Sequence, residues 1–297
     1  MNQFLVIDLT TGTTRTQLVP DWLKTQYIGG KGFGARLLWD LLAPGTDGLS
    51  KDNILMFMTG PLTSTLAPAM RACVVCKSPL TNGYLDSYFG GHFGPEIKFA
   101  GYDGIIIHGR APVPSYIWIH NDTVRLCDAA PIWGTGALEA NAWIKQDLED
   151  DTVRVATIGP AGENQVRFAL ISCEYNRQAG RGGAGAVMGS KNLKAIAIKG
   201  SRLVRVADPR RFQAAVADAN RQISASPECQ ALTLAGTSYA VEWSSEVGTL
   251  PHHNFLTQDD PFAGKIGEGG QKKHLFLGKA ACFGCPIRCA QIGAVRT

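Results

Sequence analysis

The sequence predicts an α+β chain, with a β-rich N-terminal domain over residues 1–207 and the start of a helical domain over residues 208–297. Three observations carry that reading. Short apolar runs separated by Gly, Pro and Asn fill the first two-thirds of the chain. Most of the 34 glycines lie there too, as a fold with many turns and close backbone approaches requires. At Asp208-Pro209 the texture changes. An Asp placed to cap, a Pro in the first turn and then Arg210 to Ala217 read as a helix start.

Taken in order, the runs Phe4–Leu9, Ile54–Met58, Cys73–Cys76, Ile105–His108, Tyr116–His120, Val153–Ile158, Val166–Ile171 and Ala195–Ile198 predict strands. Gly34–Leu42 carries apolar residues at helical spacing and ends before Pro44. Leu138–Leu148 predicts an amphipathic helix with Leu138, Ala142 and Leu148 inward. From Asp208 to about Gly248 the pattern is helical. No internal repeat or low-complexity segment interrupts it.

At 297 residues the chain can bury one large core or two ordinary ones. With 45% hydrophobic and 18% charged residues it reads as globular, and the low charge suggests that a partner subunit or further domain covers some surface. A net charge of +4, spread along the chain, gives no basis for nucleic-acid binding. Met1 to Leu9 lacks a basic segment and is interrupted by Asp8, so it reads as a strand and not a signal peptide. No stretch approaches the roughly 18 apolar residues that a membrane helix needs. Eight cysteines are too few for a disulfide scaffold, which points to a reducing, cytoplasmic setting.

Three of those cysteines, Cys282, Cys285 and Cys289, stand at C-x2-C-x3-C spacing. Thiolates this close on one turn can converge on a metal. An iron–sulfur cluster uses four thiolates, commonly three close together and one distant. Structural zinc usually takes paired knuckles, and only one is present here. The spacing therefore favours a cluster, with zinc and ordinary buried cysteines as alternatives. Cys73 and Cys76 also read C-x2-C, but on a strand residues three apart face opposite ways, so this pair reads as core. Cys127, Cys173 and Cys229 are isolated and read as core as well.

Three glycine-rich stretches follow. Gly29 to Gly34 does not match the spacing of a dinucleotide loop and reads as a tight turn. Gly90-Gly91-His92-Phe93-Gly94-Pro95 and Arg177 to Gly185 offer turn amides, and the second adds Arg177 and Arg181. Glycine amides and arginine forks together suit a phosphorylated ligand.

The chain resembles the aldehyde ferredoxin oxidoreductase family of tungsten, and occasionally molybdenum, pterin enzymes. The resemblance rests on Thr59-Gly60-Pro61-Leu62-Thr63, Lys77-Ser78-Pro79-Leu80-Thr81, Gly90-Gly91-His92-Phe93-Gly94 and Lys98-Phe99-Ala100-Gly101-Tyr102-Asp103. It continues through Ile158 to Asn164, Arg177 to Gly185, Met188 to Ala195 and the Cys-x2-Cys-Pro-Ile-x-Cys run. The resemblance implies a β-rich N-terminal platform for a bis-pterin tungsten cofactor, with Mg2+ bridging the pterin phosphates. It implies later helical domains with a substrate channel, and a 4Fe-4S cluster beside one pterin. By motif match Cys282, Cys285 and Cys289 are three cluster ligands. Arg71, Gly90, Gly91, Arg177, Gly180, Arg181, Gly182 and Gly183 fall in the pterin-contacting segments. Arg288, between two cluster ligands, is a candidate for tuning the cluster or linking it to the pterin.

The implied reaction is oxidation of a small aldehyde to a carboxylic acid, with electrons passing through the cluster to ferredoxin or a related electron-transfer subunit. A homodimer or heteromer suits the family. Two alternatives remain: the same scaffold acting on another substrate, such as an aromatic CoA thioester, and a cofactor- or cluster-binding electron-transfer or assembly subunit without catalysis of its own. The family pattern carries an asparagine shortly before the paired glycines, where this chain has Tyr88 and Phe89. In the family the fourth cluster cysteine and the acid–base residues lie downstream of the position matching Thr297. The chain is therefore expected to be incomplete for catalysis, and no catalytic residue is assigned.

Overall fold

A computed structural model describes residues 1–258 and 261–295 of the chain. The chain divides into two compact units, Met1–Ala207 and Asp208–Thr297.

In chain order the first unit contains β1 (Gln3–Asp8), β2 (Thr13–Leu18), α1 (Asp21–Tyr27), α2 (Lys31–Leu41), β3 (Leu55–Thr59), β4 (Ala72–Lys77), β5 (Tyr84–Phe89) and α3 (Phe93–Phe99). There follow β6 (Gly104–His108), β7 (Ser115–His120), β8 (Thr123–Asp128), α4 (Ala137–Asp147), β9 (Arg154–Thr157), α5 (Pro160–Glu163), β10 (Ile171–Cys173), β11 (Arg177–Ala179), α6 (Ala184–Ser190) and β12 (Leu193–Lys199).

The strands form two six-stranded mixed sheets, ordered β2-β1-β6-β3-β4-β5 and β11-β10-β9-β12-β7-β8. Only β1 with β6 and β7 with β12 pair in parallel. Alternation along each strand sorts the side chains by face. Leu5 and Ile7 of β1 join a core shared with Ile117, Ile119, Ile196 and Ile198 of the second sheet. Phe4 and Val6 point the other way, to Leu23 of α1 and Phe33, Leu37 and Leu38 of α2. On the outer face of the second sheet, Ala140 and Ile144 of α4 pack with Tyr116, Val155 and Ala197. Helices α3 and α6 contribute Phe93, Ile97, Val187 and Met188 to the shared core.

Three sequence expectations are corrected. Helix α2 starts at Lys31, directly after Gly30 at φ +54°, and Gly34 lies within it, where a side chain would press on Val75. On α4 the buried row is Ala140 and Ile144, with Leu148 partly buried, whereas Leu138 and Ala142 are exposed. The run Val166–Ile171 becomes a strand only at Ile171. Gln165 has φ +56° and the Val166 N–H donates to the Ala161 carbonyl, closing a turn that leaves Phe168 and Leu170 exposed.

The second unit holds α7 (Pro209–Ala225), α8 (Pro227–Ala235), α9 (Ala240–Glu246), α10 (Ala263–Ile266), α11 (Glu268–His274), β13 (Phe276–Ala280) and β14 (Ala290–Gly293). The Asp208 carboxylate accepts the Arg211 N–H at 3.0 Å and Pro209 opens the first turn, the capping chemistry expected for this start. Ser226 and Pro227 repeat it for α8. Strands β13 and β14 form an antiparallel hairpin. Among the described residues, no helix is long and apolar enough to cross a membrane.

Candidate cofactor site

The glycine-rich segments singled out in the sequence meet where an edge of one sheet approaches an edge of the other. Strand β5 ends the first sheet and β11 ends the second. The Arg181 N–H donates to Ser87 Oγ of β5 at 3.1 Å. Ser78 Oγ, just beyond β4, donates to the Gly182 carbonyl at 2.7 Å and itself accepts the Leu80 and Thr81 N–H groups. These bonds seat the segment after β11 on the β4–β5 hairpin.

At the other end of β5, Ala72 pairs with Phe89, so Arg71 and Gly90 are the next positions along that register. Gly91 has φ +86°, and a side chain there would lie 2.9 Å from Glu174 Oε2 and 3.0 Å from Arg177 Cγ. Only glycine admits both neighbours at that backbone angle. The structure thus gathers Arg71, Gly90, Gly91, Arg177, Gly180, Arg181, Gly182 and Gly183 along one seam within the first unit.

The seam has unused hydrogen-bonding capacity. Arg177 Nε is buried and has no hydrogen-bond partner, while its Nη1 donates to the Asn176 carbonyl at 3.1 Å. A buried guanidinium N–H without an acceptor costs free energy that an anionic ligand would recover. Arg71 and Arg181 are exposed. Around Gly180 there is open space, with no heavy atom within 4 Å of where a Cβ would stand. Gly182 and Gly183, at φ +74° and +87°, press instead on Leu85 and on the Arg167 carbonyl, which leaves no room for a side chain. The seam therefore has an open, arginine-bearing side and a tightly packed side. Phe89 is buried among Phe57 and Phe93, and Tyr88 is exposed, so neither supplies a carboxamide where the family pattern has asparagine.

Glu174 also belongs to this seam, and no motif or periodicity marked it beforehand. It stands between β10 and β11, and its Oε1 accepts the His92 N–H at 2.7 Å. Burial would raise its pKa, but the bonds from His92 and the nearby Arg154 charge hold it below the usual carboxylate range. Ser78 and Ser87 were likewise invisible as support for the loop, since a buried serine hydroxyl has no periodic signature.

Cys282, Cys285 and Cys289 share the loop joining β13 and β14, in the second unit. The Cys285 N–H donates to the Cys282 carbonyl at 3.1 Å, closing the C-x2-C turn, and Gly284 and Arg288 take φ +62° and +52°. All three thiols are free and partly buried. Among the described residues, no three His, Cys, Asp or Glu side chains are gathered as a metal-ligand set, so the loop brings the cysteines into one segment without converging their sulfurs. Cys73 and Cys76 behave as core. They enter separate hydrophobic clusters, and burial pushes both thiols up to about 12.

Comparison with known proteins shows the family of the chain. The model of the aldehyde ferredoxin oxidoreductase N-terminal domain matches residues 4–200, and that of domains 2 and 3 of the same family matches residues 214–297. The chain belongs to the aldehyde ferredoxin oxidoreductase family. The tungsten-containing aldehyde ferredoxin oxidoreductase of Pyrococcus abyssi is 40% identical over 293 residues, covering 98% of this chain and 48% of the relative. An aliphatic sulfonate oxidoreductase, WOR-like subunit, of Pyrococcus furiosus is 41% identical over 215 residues, covering 67% of this chain and 34% of that protein. Among solved structures, the active site complex BamBC of benzoyl coenzyme A reductase with 1,5 dienoyl-CoA matches with a TM-score of 0.86. That match is 30% identical and covers 99% of this chain and 47% of the other. The chain spans about half the length of the curated relatives it matches.

Proposed function

We propose that this chain forms the cofactor-binding part of a tungsten- or molybdenum-pterin oxidoreductase that oxidises aldehydes to carboxylic acids and delivers the electrons, by way of a 4Fe-4S cluster, to ferredoxin or a related electron-transfer subunit. The observation that carries the proposal is the buried Arg177 Nε–H without a partner, set beside the Gly90–Gly91 turn and the open backbone at Gly180. The donor chemistry fits a pterin phosphate: Arg71, Arg177 and Arg181 would hold it, with amides from the glycine turns. Mg2+ between pterin phosphates would add to that charge balance. When bound, the pterin metal supplies the two-electron chemistry, and the protein's part is to bind, orient and exclude water.

The three thiols of the β13–β14 loop would supply three of the four thiolates of an iron–sulfur cluster by drawing together around it, leaving one position for a ligand from elsewhere. Arg288 lies between two of them in sequence, and a hydrogen bond from its guanidinium to the cluster sulfurs would tune the cluster's potential. The tungsten-containing relatives favour an aldehyde as substrate. The sulfonate oxidoreductase subunit and the BamBC complex favour a second reading, in which the same scaffold serves a different substrate within a multisubunit assembly.

Metal analysis tests the cofactor reading. The complete gene product, purified without oxygen, is assayed for W, Mo, Fe and Zn. About one tungsten or molybdenum and about four irons per chain are expected. Iron or zinc alone would overturn the pterin assignment and leave a cluster carrier or structural module.

A further inference from the structure

Glu174 lies between the two glycine-rich segments at φ +59°, a conformation that side-chain-bearing residues rarely adopt. Its side chain is only 12% exposed. Glu174 links different sheets: its backbone N–H donates to the Val155 carbonyl of β9 at 2.7 Å, while its side-chain Oε1 accepts the His92 N–H at 2.7 Å beyond β5. Oε2 stands 3.5 Å from His92 Nδ1. The absent Cβ of Gly91 makes the space that Oε2 and the Arg177 stem occupy. The charged groups around it come from separate elements: His92 from the β5–α3 turn, Arg154 from β9 and Lys145 from α4.

We infer that Glu174 is a positioning residue of the cofactor site. Its carboxylate sets the distance between the Gly90–Gly91 turn and the Arg177 hairpin, so that amides from one sheet edge and a guanidinium from the other meet the same phosphate. This deepens, and rests on, the pterin reading. Within β5 the Ser87–Arg181 bond holds the two edges together. Beyond β5 the corresponding bond is the one from His92 to Glu174. A side chain one methylene shorter keeps the charge but cannot span the gap. One of equal length without charge still accepts the His92 N–H.

The test compares Glu174→Gln, Glu174→Asp and Glu174→Ala with wild type in the complete gene product. Three quantities are read: release of tungsten and pterin during anaerobic dialysis, hydrogen exchange of the peptide containing the His92 amide, and melting temperature. Glu174→Asp and Glu174→Ala are expected to release cofactor about tenfold faster, the factor that loss of one charge-assisted bond gives. Their His92 peptide should exchange faster, with little change in melting. Glu174→Gln should stay near wild type in release and exchange. Glu174→Ala serves as the second variant if Glu174→Asp does not fold, and cofactor retention by either overturns the inference. Equal losses in Glu174→Gln and Glu174→Asp also overturn it, because charge would then matter as much as reach. A wild-type protein without bound pterin overturns the site reading itself, and the Glu174 assignment falls with it.

Discussion

Two glycines in one loop should respond to the same substitution in opposite ways. At Gly183, φ is +87° and an added methyl would overlap the Arg167 carbonyl oxygen and approach Pro79 Cγ to 2.9 Å. The left-handed backbone costs an alanine about 1–2 kcal/mol, and forcing a methyl into a packed site costs about 1–3 kcal/mol more. A total near 3–4 kcal/mol, at roughly 2–4 °C per kcal/mol for a unit of this size, lowers the melting temperature of Gly183→Ala by about 10 °C. At Gly180 the same methyl meets nothing within 4 Å, so stability should stay within about 0.5 kcal/mol of wild type. The methyl would, however, occupy the open space where a phosphate is proposed to approach, and tungsten content should fall. Differential scanning calorimetry and metal analysis of the two purified variants decide it. Gly183→Ala melting within about 2 °C of wild type would refute the packing argument. Full tungsten in Gly180→Ala would place the ligand elsewhere.

Arg177→Ala removes the unpartnered buried donor and should lower retained tungsten about tenfold or more while the protein stays folded; undiminished tungsten would sink its assignment. Cys285→Ser should abolish the cluster's visible and electron paramagnetic resonance signals, and unchanged spectra would remove it from the ligand set. Lys199 and Thr152 hold the Asp150 carboxyl down at about 2, below its ordinary 3.8. Because the folded pKa is depressed, the stability this pair contributes is complete above about pH 4 and is lost as pH falls toward 2. Asp150→Asn should therefore flatten the acid limb of the stability profile, and an unchanged slope by urea titration between those limits would count against the pair.

What the sequence disclosed, and what it hid, follows the layout of the sheets. Seven of the eight predicted strands correspond to β1, β3, β4, β6, β7, β9 and β12, and the eighth touches β10 only at Ile171; all eight strands are interior to their sheets. Interior strands are buried on both faces and read as continuous apolar runs, as in Leu55–Thr59, where every residue is buried. The four strands of the first unit that escaped, β2, β5, β8 and β11, are the four edges of its two sheets. Thr13–Leu18 is almost wholly polar and exposed, and in Thr123–Asp128 Val124 and Leu126 alternate with exposed polar residues, so neither reads as a continuous apolar run. The site was legible only in part for the same reason. Its glycines and arginines stood out by chemistry, but the edge strands β5 and β11 that bring them together did not, and neither did Glu174, Ser78 or Ser87. In the second unit Asp208-Pro209 announced its helix, whereas β13 and β14, short and half-exposed, gave no such signal.

The motif from Arg177 to Lys194 makes sense as one mechanical element. Its front leaves open space at Gly180 and an unsatisfied guanidinium N–H at Arg177. Behind it runs α6, in which every residue is buried. A side chain at Gly185 would overlap the Leu170 carbonyl, and one at Gly189 the Gly162 carbonyl, so both glycines permit contacts that fix the helix sideways. At the rear, Lys191 Nζ donates to the carbonyls of Lys51, Asn53 and Gly109, and Lys194 pairs with Glu163. A buried ammonium that satisfies three backbone carbonyls ties the loop after α6 to the first sheet, because those acceptors flank its strands. A loop meant to hold a phosphate needs its amides fixed before the ligand arrives, since mobility there would be lost again on binding. The glycines give approach and the two lysines give anchorage. On this view substitution at Lys191, remote from the open side, should loosen the same site in which Arg177 is proposed to hold the phosphate.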